Sequence, residues 1–202
     1  MVKIGFIVEG DTEKILIEST AFRSWTKANN IEICAPVINA KGGGNLLPHH
    51  IEPMLAQFHQ AAPEHIVILT DLENEADIDS VKARITTTHT EYIFVAVKAI
   101  EAWFLADTLA LQRWLKIDNV HEAAPENTPG MPWERLKALA MEKGARGPGP
   151  NKPAFAMQMC RRHGFEIAQA ANHPACHSAK LFHDTLLSLG SNQVPPNGAR
   201  VR

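Results

Sequence analysis

The sequence has few cysteines, no long apolar stretch and almost no net charge. Its three cysteines among 202 residues are widely spaced and odd in number, which argues against a disulfide framework and predicts a reducing compartment, the cytoplasm. No stretch approaches the about 20 apolar residues of a membrane span, and the apolar run at the N-terminus is too short for a signal peptide. We therefore expect a soluble, cytoplasmic protein with no membrane partner.

The small net charge is unevenly distributed along the chain. The 20 Lys and Arg residues against 22 Asp and Glu give a formal net charge of −2, which argues against coating a polyanion through bulk positive charge. Residues 1–134 hold 10 basic and 19 acidic side chains, a net −9, whereas residues 135–202 hold 10 basic and 3 acidic ones, a net +7. This asymmetry is typical of a protein with a nucleic-acid partner, and it is equally expected if the two parts attract each other.

Apolar runs and helical periodicities alternate in the first part of the chain. Runs rich in β-branched residues predict strands at 2–8, 31–38, 65–70 and 92–97. Apolar residues at helical spacing predict helices at 11–29, 45–60, 78–85 and 100–115. The alternation predicts an α/β fold, with a Rossmann-like, mostly parallel sheet of about four strands flanked by helices.

The composition changes after residue 117. Residues 118–134 and 144–153 are rich in Pro and Gly and predict loops. Helices are expected at 133–143, 154–171 and 177–189. We predict three segments: an α/β domain over 1–117, a loop-rich, basic helical extension packed on it over 118–189, and a flexible tail over 190–202.

Carboxylates follow two of the predicted strands. Glu9 comes at the end of the first strand, and Asp71 and Glu73 come at the end of the third. Because functional groups of parallel sheets gather outside the C-terminal strand ends, we expect these side chains to share a site. Carboxylates at i and i+2 repel each other unless a cation lies between them, and such hard oxygen ligands select Mg²⁺ or Mn²⁺ over zinc. The alternative is a solvated acidic turn.

Two further acidic residues are candidates for the same site. Glu13 lies one turn into the helix after Glu9, where it either faces the same metal or only favours the helix dipole. Glu101 begins the helix after the fourth strand among apolar neighbours, which makes an exposed position less natural for it. Asp107 lies on another face of that helix, and we interpret it as structural.

Two glycine-rich loops carry basic residues. One precedes a helix and can bind an anion at the helix N-terminus, although it lacks the residue order of an ATP-binding P-loop. It consists of Lys41, Gly42, Gly43 and Gly44. The other is GARGPGPNKP, in which Arg146 and Lys152 either bind a phosphate or are simply solvated.

Several of these motifs together resemble a known domain. VEGDTEKILI after the first strand, with an acidic pair after the third, resembles the TOPRIM domain of primases, topoisomerases, small RNA-maturing nucleases and the OLD (overcoming lysogenization defect) nucleases. The segments IEAWFLAD, GGGNL and NKP resemble, more specifically, an uncharacterised family of small bacterial TOPRIM-like proteins encoded near ATPases in defence-type loci. The resemblance covers residues 1–110 or so. It departs from the family pattern at Glu73, where the second acid of the D-x-D pair is expected to be Asp.

The resemblance implies an Mg²⁺- or Mn²⁺-dependent nuclease, which hydrolyses phosphodiester bonds in DNA or RNA, with an ATPase as a protein partner. It implies that Glu9, Asp71 and Glu73 hold one or two ions, that Glu13 and Glu101 complete a second metal position, and that Lys152 or Arg146 neutralises charge on the transferring phosphate. Two alternatives stay open: a non-catalytic TOPRIM-like module that binds nucleic acid or a protein partner, and a small-molecule phosphoesterase.

Overall fold

The protein is an α/β structure built on one parallel sheet. The structure, a computed structural model, describes residues 1–87 and 90–200. All strand pairs are parallel, and the strand order is β2-β1-β3-β4, which confirms the predicted fold class. The strands are β1 (Val2–Val8), β2 (Ile31–Asn39), β3 (His65–Asp71) and β4 (Tyr92–Ala96).

Helices cover both faces of the sheet, but unequally. The helices are α1 (Asp11–Glu18), α2 (Thr20–Ala28), α3 (Pro48–Leu55), α4 (Ile78–Ile85), α5 (Glu101–Ala106), α6 (Thr108–Leu115), α7 (Pro132–Glu142), α8 (Lys152–Arg162), α9 (Ile167–Ala171) and α10 (His177–Gly190). In β3, Val67 and Leu69 face a large core shared with most of the helices, whereas Ile68 faces a smaller core shared with α3 and α4. A strand that is buried on both faces carries apolar side chains on both, and such strands therefore form nearly continuous apolar runs in the sequence.

Four predicted helices are interrupted. The helix predicted at 11–29 breaks at Ser19, whose Oγ accepts a hydrogen bond from the backbone N–H of Phe22. The helix predicted at 100–115 breaks at the fully buried Asp107, whose Oδ1 accepts from the N–H of Ala110. Ser and Asp satisfy free N–H groups at helix starts and so favour a new helix over a continuous one.

The other two interrupted helices are those predicted at 45–60 and 154–171. The first becomes α3 with short 3₁₀ helices at Gly43–Asn45 and Ala56–Phe58 on either side. The second ends at Arg162, and Gly164, at a φ of 62°, turns the chain before α9 begins. Glycine adopts this left-handed conformation without the steric cost that a side chain would bring.

The helices after residue 131 pack into the same core as the sheet. Phe182 of α10 contacts the rings of Phe6, Phe22, Phe94 and Trp103. The basic part of the chain is thus joined to the sheet through an aromatic cluster. The division into three segments remains a prediction.

A buried glutamate from the loop before α7 holds the start of α10. Glu126 accepts hydrogen bonds from the backbone N–H groups of His177 (2.9 Å) and Ser178 (2.8 Å), and also from the Ser178 hydroxyl. The same Ser178 oxygen accepts a hydrogen bond from Trp103 Nε1 of α5 at 2.8 Å. This chain of contacts ties α5 to α10, and a carboxylate at a helix N-terminus is favourably placed.

The segment after α10 makes contacts with β4 and α4. Arg200 Nε donates to the hydroxyl of Tyr92 at 2.9 Å, and Lys82 Nζ donates to the carbonyl of Gly198 at 2.7 Å. Residues 201 and 202 of the predicted tail lie outside the described residues. Within the described part of the chain, no helix is both long and apolar enough to cross a membrane.

Candidate functional site

Glu9 and Asp71 lie at the point where the order of the strands reverses. The chain passes from β1 to β2 on one side and then to β3 on the other side of β1. Glu9 follows β1 directly, and Asp71 is the last residue of the neighbouring β3. In open parallel sheets this switch point leaves a crevice outside the carboxyl ends of the strands, where ligands bind. The sequence-based expectation that the two carboxylates lie together therefore agrees with the strand order.

Three donors hold the Glu9 carboxylate in place. Oε1 accepts a hydrogen bond from the backbone N–H of Gly43 at 3.1 Å, and Oε2 accepts from the N–H of Asp71 at 3.0 Å. Oε2 also accepts from the hydroxyl of Thr70, which is fully buried. Thr70 was not among the residues predicted from the sequence. A hydroxyl residue at the end of an otherwise apolar strand, next to Asp71, could have indicated a place in the site.

The glycine loop approaches Glu9 closely. A Cβ on Gly43 would lie 3.2 Å from Oε1 of Glu9, and Gly42 has a φ of +119°, which L-residues rarely adopt. Gly42 therefore favours glycine for its backbone conformation, and a side chain at Gly43 would require the Glu9 carboxylate to shift by a few tenths of an ångström. Nothing lies within 4 Å of the corresponding position on Gly44, and Lys41 pairs with Asp11 at 3.1 Å rather than with the acidic site.

Glu13 and Asp71 belong to one electrostatic cluster with Glu9 and Glu101. Burial, followed by the charges of Glu9 and Glu101, raises the pKa of Glu13 to about 7. Burial, followed by the charges of Glu13, Glu101 and Glu9, raises the pKa of Asp71 well above its usual range. Like charges held close together without a compensating cation have this effect. The Glu13 carboxylate accepts a hydrogen bond from the Gly10 N–H at 3.0 Å, and Asp71 accepts one from the N–H of Ile100 at 2.8 Å.

Within residues 1–87 and 90–200, Glu101 is the member of the cluster that pairs with a basic side chain. It is buried, and its Oε2 lies 3.2 Å from Nζ of Lys152, the first residue of α8. Burial raises the pKa of Glu101, Lys152 lowers it, and the charge of Glu73 raises it further. Glu73 itself is exposed, in a left-handed turn at a φ of 47°. The structure therefore brings Lys152 to the acidic cluster and leaves Glu73 at its rim.

The cluster suits a divalent cation by its chemistry. Hard carboxylate oxygens and an excess of negative charge are what Mg²⁺ and Mn²⁺ select. Among residues 1–87 and 90–200, however, no group of three His, Cys, Asp or Glu side chains is arranged to hold an ion. The Glu9 oxygens face N–H and O–H donors, and the Glu101 carboxylate faces Lys152. Donor type and charge fit a metal, and the side chains would have to turn to ligate one.

Arg146 does not join the acidic cluster. It is exposed and lines a separate cavity between the end of α6 and the outer face of α8. Asp107 is also apart from the cluster, since its two carboxylate oxygens accept from the N–H groups of Ala110 and Glu166. It joins the start of α6 to the start of α9, which is a structural role.

Comparisons with known proteins leave the family open. No protein-family model matches this chain, and no curated protein matches it. Among solved structures, the C-terminal region of the Xanthomonas campestris pv. campestris OLD protein matches with 15% identity over 90% of this chain and 97% of that chain, at a TM-score of 0.28. A likeness this weak carries no argument about fold or function, so the TOPRIM resemblance remains a prediction based on the motifs.

Proposed function

We propose that this protein hydrolyses phosphodiester bonds in nucleic acid, using a divalent metal ion held at the carboxyl ends of β1 and β3. The observation that supports this most is the gathering of carboxylates at these strand ends, where their charged forms are disfavoured. Burial first, and then the charges of neighbouring acidic groups, raise the pKa values of Glu13 and Asp71. Folding places such groups together at a cost, and a bound cation would remove that cost.

The proposal assigns each residue a role. Glu9, Asp71 and Glu73 would hold Mg²⁺ or Mn²⁺, with Glu13 and Glu101 as further ligands. The metal would supply an activated water and stabilisation of the leaving oxygen. Thr70 and the N–H groups of Asp71 and Gly43 hold the Glu9 carboxylate at the site, and it would turn from these donors to ligate the ion.

Lys152 has a distinct part in the proposal. It now compensates the buried Glu101 carboxylate. Its side chain is 42% exposed, so it can also reach a phosphate at the rim of the cluster. A cation there would stabilise negative charge on the transferring group. An ATPase partner is a further proposal that follows from the resemblance.

A second function has an observation of its own. In the described residues, no three candidate ligands are arranged around a common point, and Glu9 and Glu101 are engaged with protein donors. This favours a module that binds nucleic acid or a protein partner without cleaving a bond. The two functions differ in one measurable property, turnover in the presence of metal.

The experiment is a cleavage assay on the purified full chain. Labelled single-stranded and duplex DNA and RNA would be incubated with Mg²⁺, with Mn²⁺ or with EDTA. We expect metal-dependent cleavage that Asp71→Asn and Glu9→Gln abolish while the fold persists by circular dichroism. The matched control is Asp79→Asn, which neutralises an exposed carboxylate on α4 and should leave cleavage unchanged.

Other outcomes identify the alternatives. Binding of metal and polynucleotide by the wild type, without any cleavage, would reject the nuclease and favour the binding module. Turnover of a phenyl phosphate ester without cleavage of any polynucleotide would favour the small-molecule phosphoesterase. Cleavage that persists in both variants at the wild-type rate would show that the strand-end carboxylates are not the site.

A further inference from the structure

A basic cavity lies beside the acidic cluster. Its volume is about 750 Å³, and it opens between the end of α6, the loop at 146–151 and the outer face of α8. Among the described residues, no Asp or Glu side chain lines it. Its cationic and aromatic lining consists of Trp114, Lys116, Arg146, Arg161, Arg162 and His163.

The four Lys and Arg side chains of this cavity have no acidic partner in the part of the chain that the structure describes. Across residues 1–87 and 90–200, none of them lies within 4.0 Å of a carboxylate, although the chain has an excess of acidic residues. Burial lowers the pKa of His163, and the charges of Arg162, Arg113 and Lys116 lower it further. Uncompensated positive charge in a concave surface attracts and concentrates anions.

Trp114 adds an aromatic surface to this lining. Its side chain is half-buried and packs edge-on against Phe155, with ring centroids 4.9 Å apart at 74°. The same residue lines the cavity. A positively charged groove combined with an aromatic surface is the arrangement by which proteins hold single-stranded nucleic acid, because phosphates meet the cations and a base stacks on the ring.

The cavity and the acidic cluster are linked through neighbouring residues at the start of α8. Asn151 lines the cavity and caps α8 through a hydrogen bond from the Ala154 N–H to its Oδ1 at 2.8 Å. The next residue, Lys152, pairs with Glu101 of the cluster. From Lys152 to Arg161 the helix rises about 14 Å. That distance corresponds to about four nucleotides at the rise of a duplex strand.

We propose that this cavity binds a single strand of nucleic acid, with backbone phosphates at Arg146, Arg161 and Arg162 and one base stacked on Trp114. The strand would continue past Lys152 to the strand-end carboxylates. The binding step stands on the cavity itself, and the continuation to the carboxylates rests on the proposed function. The preferred substrate would therefore be single-stranded rather than duplex.

Binding is measured in EDTA, so that cleavage plays no part. Fluorescence anisotropy would follow labelled oligo(dT) and oligo(rU) of about 12 nucleotides, a length within the range that single-strand-binding folds cover. We expect Arg161→Ala/Arg162→Ala to weaken binding about 10-fold or more. The slope of log K against log salt concentration should become smaller by about 1.4, because each lost phosphate contact to a single strand contributes about 0.7. The matched control removes two exposed charges from α2, Arg23→Ala/Lys27→Ala, and should bind within about 2-fold of the wild type.

Tryptophan fluorescence tests the stacking contact separately. Trp114→Phe keeps an aromatic side chain against Phe155 and removes the indole. Single-stranded oligonucleotide should quench the wild type, and most of that quenching should be lost in the variant. Equal quenching in both proteins would overturn the assignment of a base to Trp114.

The remaining outcomes would overturn the proposal or one part of it. No binding of any oligonucleotide by the wild type, or equal binding by the cavity variant and its control, would overturn the proposal. Duplex binding as tight as single-strand binding would overturn the strand preference. Displacement by a free nucleoside triphosphate at lower concentration than by the oligonucleotide would assign the cavity to a nucleotide instead. Because binding is measured in EDTA, where no metal-dependent cleavage takes place, a failure of the proposed nuclease activity leaves the binding result readable.

Discussion

The acidic cluster and the basic cavity lie side by side and are opposite in almost every physical respect. The acidic cluster, formed by Glu9, Glu13, Asp71 and Glu101, is largely buried, and its charges oppose one another. The cavity keeps its cations open to solvent and without acidic partners among the described residues. The Glu101–Lys152 pair is where the two regions meet. A net charge of −2 thus conceals two local imbalances, each suited to a ligand of opposite sign.

The largest expected effect is kinetic, and it distinguishes the acidic cluster, which should affect kcat, from the basic cavity, which should affect KM. Asp71→Asn should lower kcat by about 100-fold or more, because loss of even an indirect metal contact commonly costs 10- to 100-fold. Arg161→Ala/Arg162→Ala should raise KM about 10-fold and change kcat little, since those cations lie away from the reacting bond. Steady-state kinetics on a single-stranded substrate measures both. If kcat fell as much in the cavity variant as in Asp71→Asn, the cavity cations would belong to the catalytic site rather than to a separate binding site.

The second effect concerns the tie that joins α5, which carries Glu101, to α10. Glu126→Ala leaves two backbone N–H groups and the Ser178 hydroxyl without their acceptor. We expect a loss of about 2–4 kcal/mol in the free energy of unfolding by urea denaturation. Glu134→Ala, which removes an exposed carboxylate paired with Lys137, is the control and should cost under about 1 kcal/mol. Similar losses of unfolding free energy in the two variants would contradict the role of Glu126 in holding the start of α10.

A smaller effect is expected in the glycine loop that approaches Glu9. Gly42→Ala forces a side chain into a φ of +119° and should destabilise the protein by about 1–2 kcal/mol. Gly44→Ala meets no atom within 4 Å and should be neutral or slightly stabilising. Thermal unfolding of both variants measures the difference. Equal melting temperatures would contradict the described conformation of the loop.

The smallest expected effect is a pH-dependent gain in stability. A carboxyl group whose folded pKa is raised lowers the stability as the pH rises from its unfolded pKa through its folded one. Asp71 has such a raised pKa, and Asn can still accept the hydrogen bond from Ile100. In EDTA, Asp71→Asn should therefore melt about 2–4 °C above the wild type at about pH 8 and equally at about pH 4. Mg²⁺ should raise the melting temperature of the wild type more than that of the variant. A variant less stable than the wild type at both pH values would contradict the raised pKa.

The sequence predicted the strands better than the helices, and for a physical reason. Strands buried on two faces consist of nearly unbroken apolar residues, so β3 was visible as a run. The helix breaks at Ser19 and Asp107 depend on single capping hydrogen bonds within stretches that keep helical periodicity. Periodicity alone does not distinguish a continuous helix from two short ones in the same direction.

The sequence allowed the site residues at the strand ends to be predicted. It did not allow the contacts that depend on which strands are neighbours in the sheet to be predicted. Glu9 and Asp71 could be assigned to one edge of a parallel sheet, but the sequence does not state that β3 neighbours β1. The Thr70 hydroxyl on Glu9 and the hydrogen bonds of Glu126 depend on that three-dimensional order. So does the separation of Arg146 from Lys152, which lie six residues apart in one basic loop and face different regions.

The central claim is that the strand-end carboxylates hold a divalent cation. The most direct test is an anomalous diffraction map from crystals of the full chain soaked in Mn²⁺ at neutral pH. We expect an Mn²⁺ peak between Glu9 and Asp71, with further oxygens from Glu13, Glu73 or Glu101, and no peak there in Asp71→Asn. A wild-type map without Mn²⁺ at this position, with the Glu9 carboxylate still bound to Gly43 and Thr70, would contradict it.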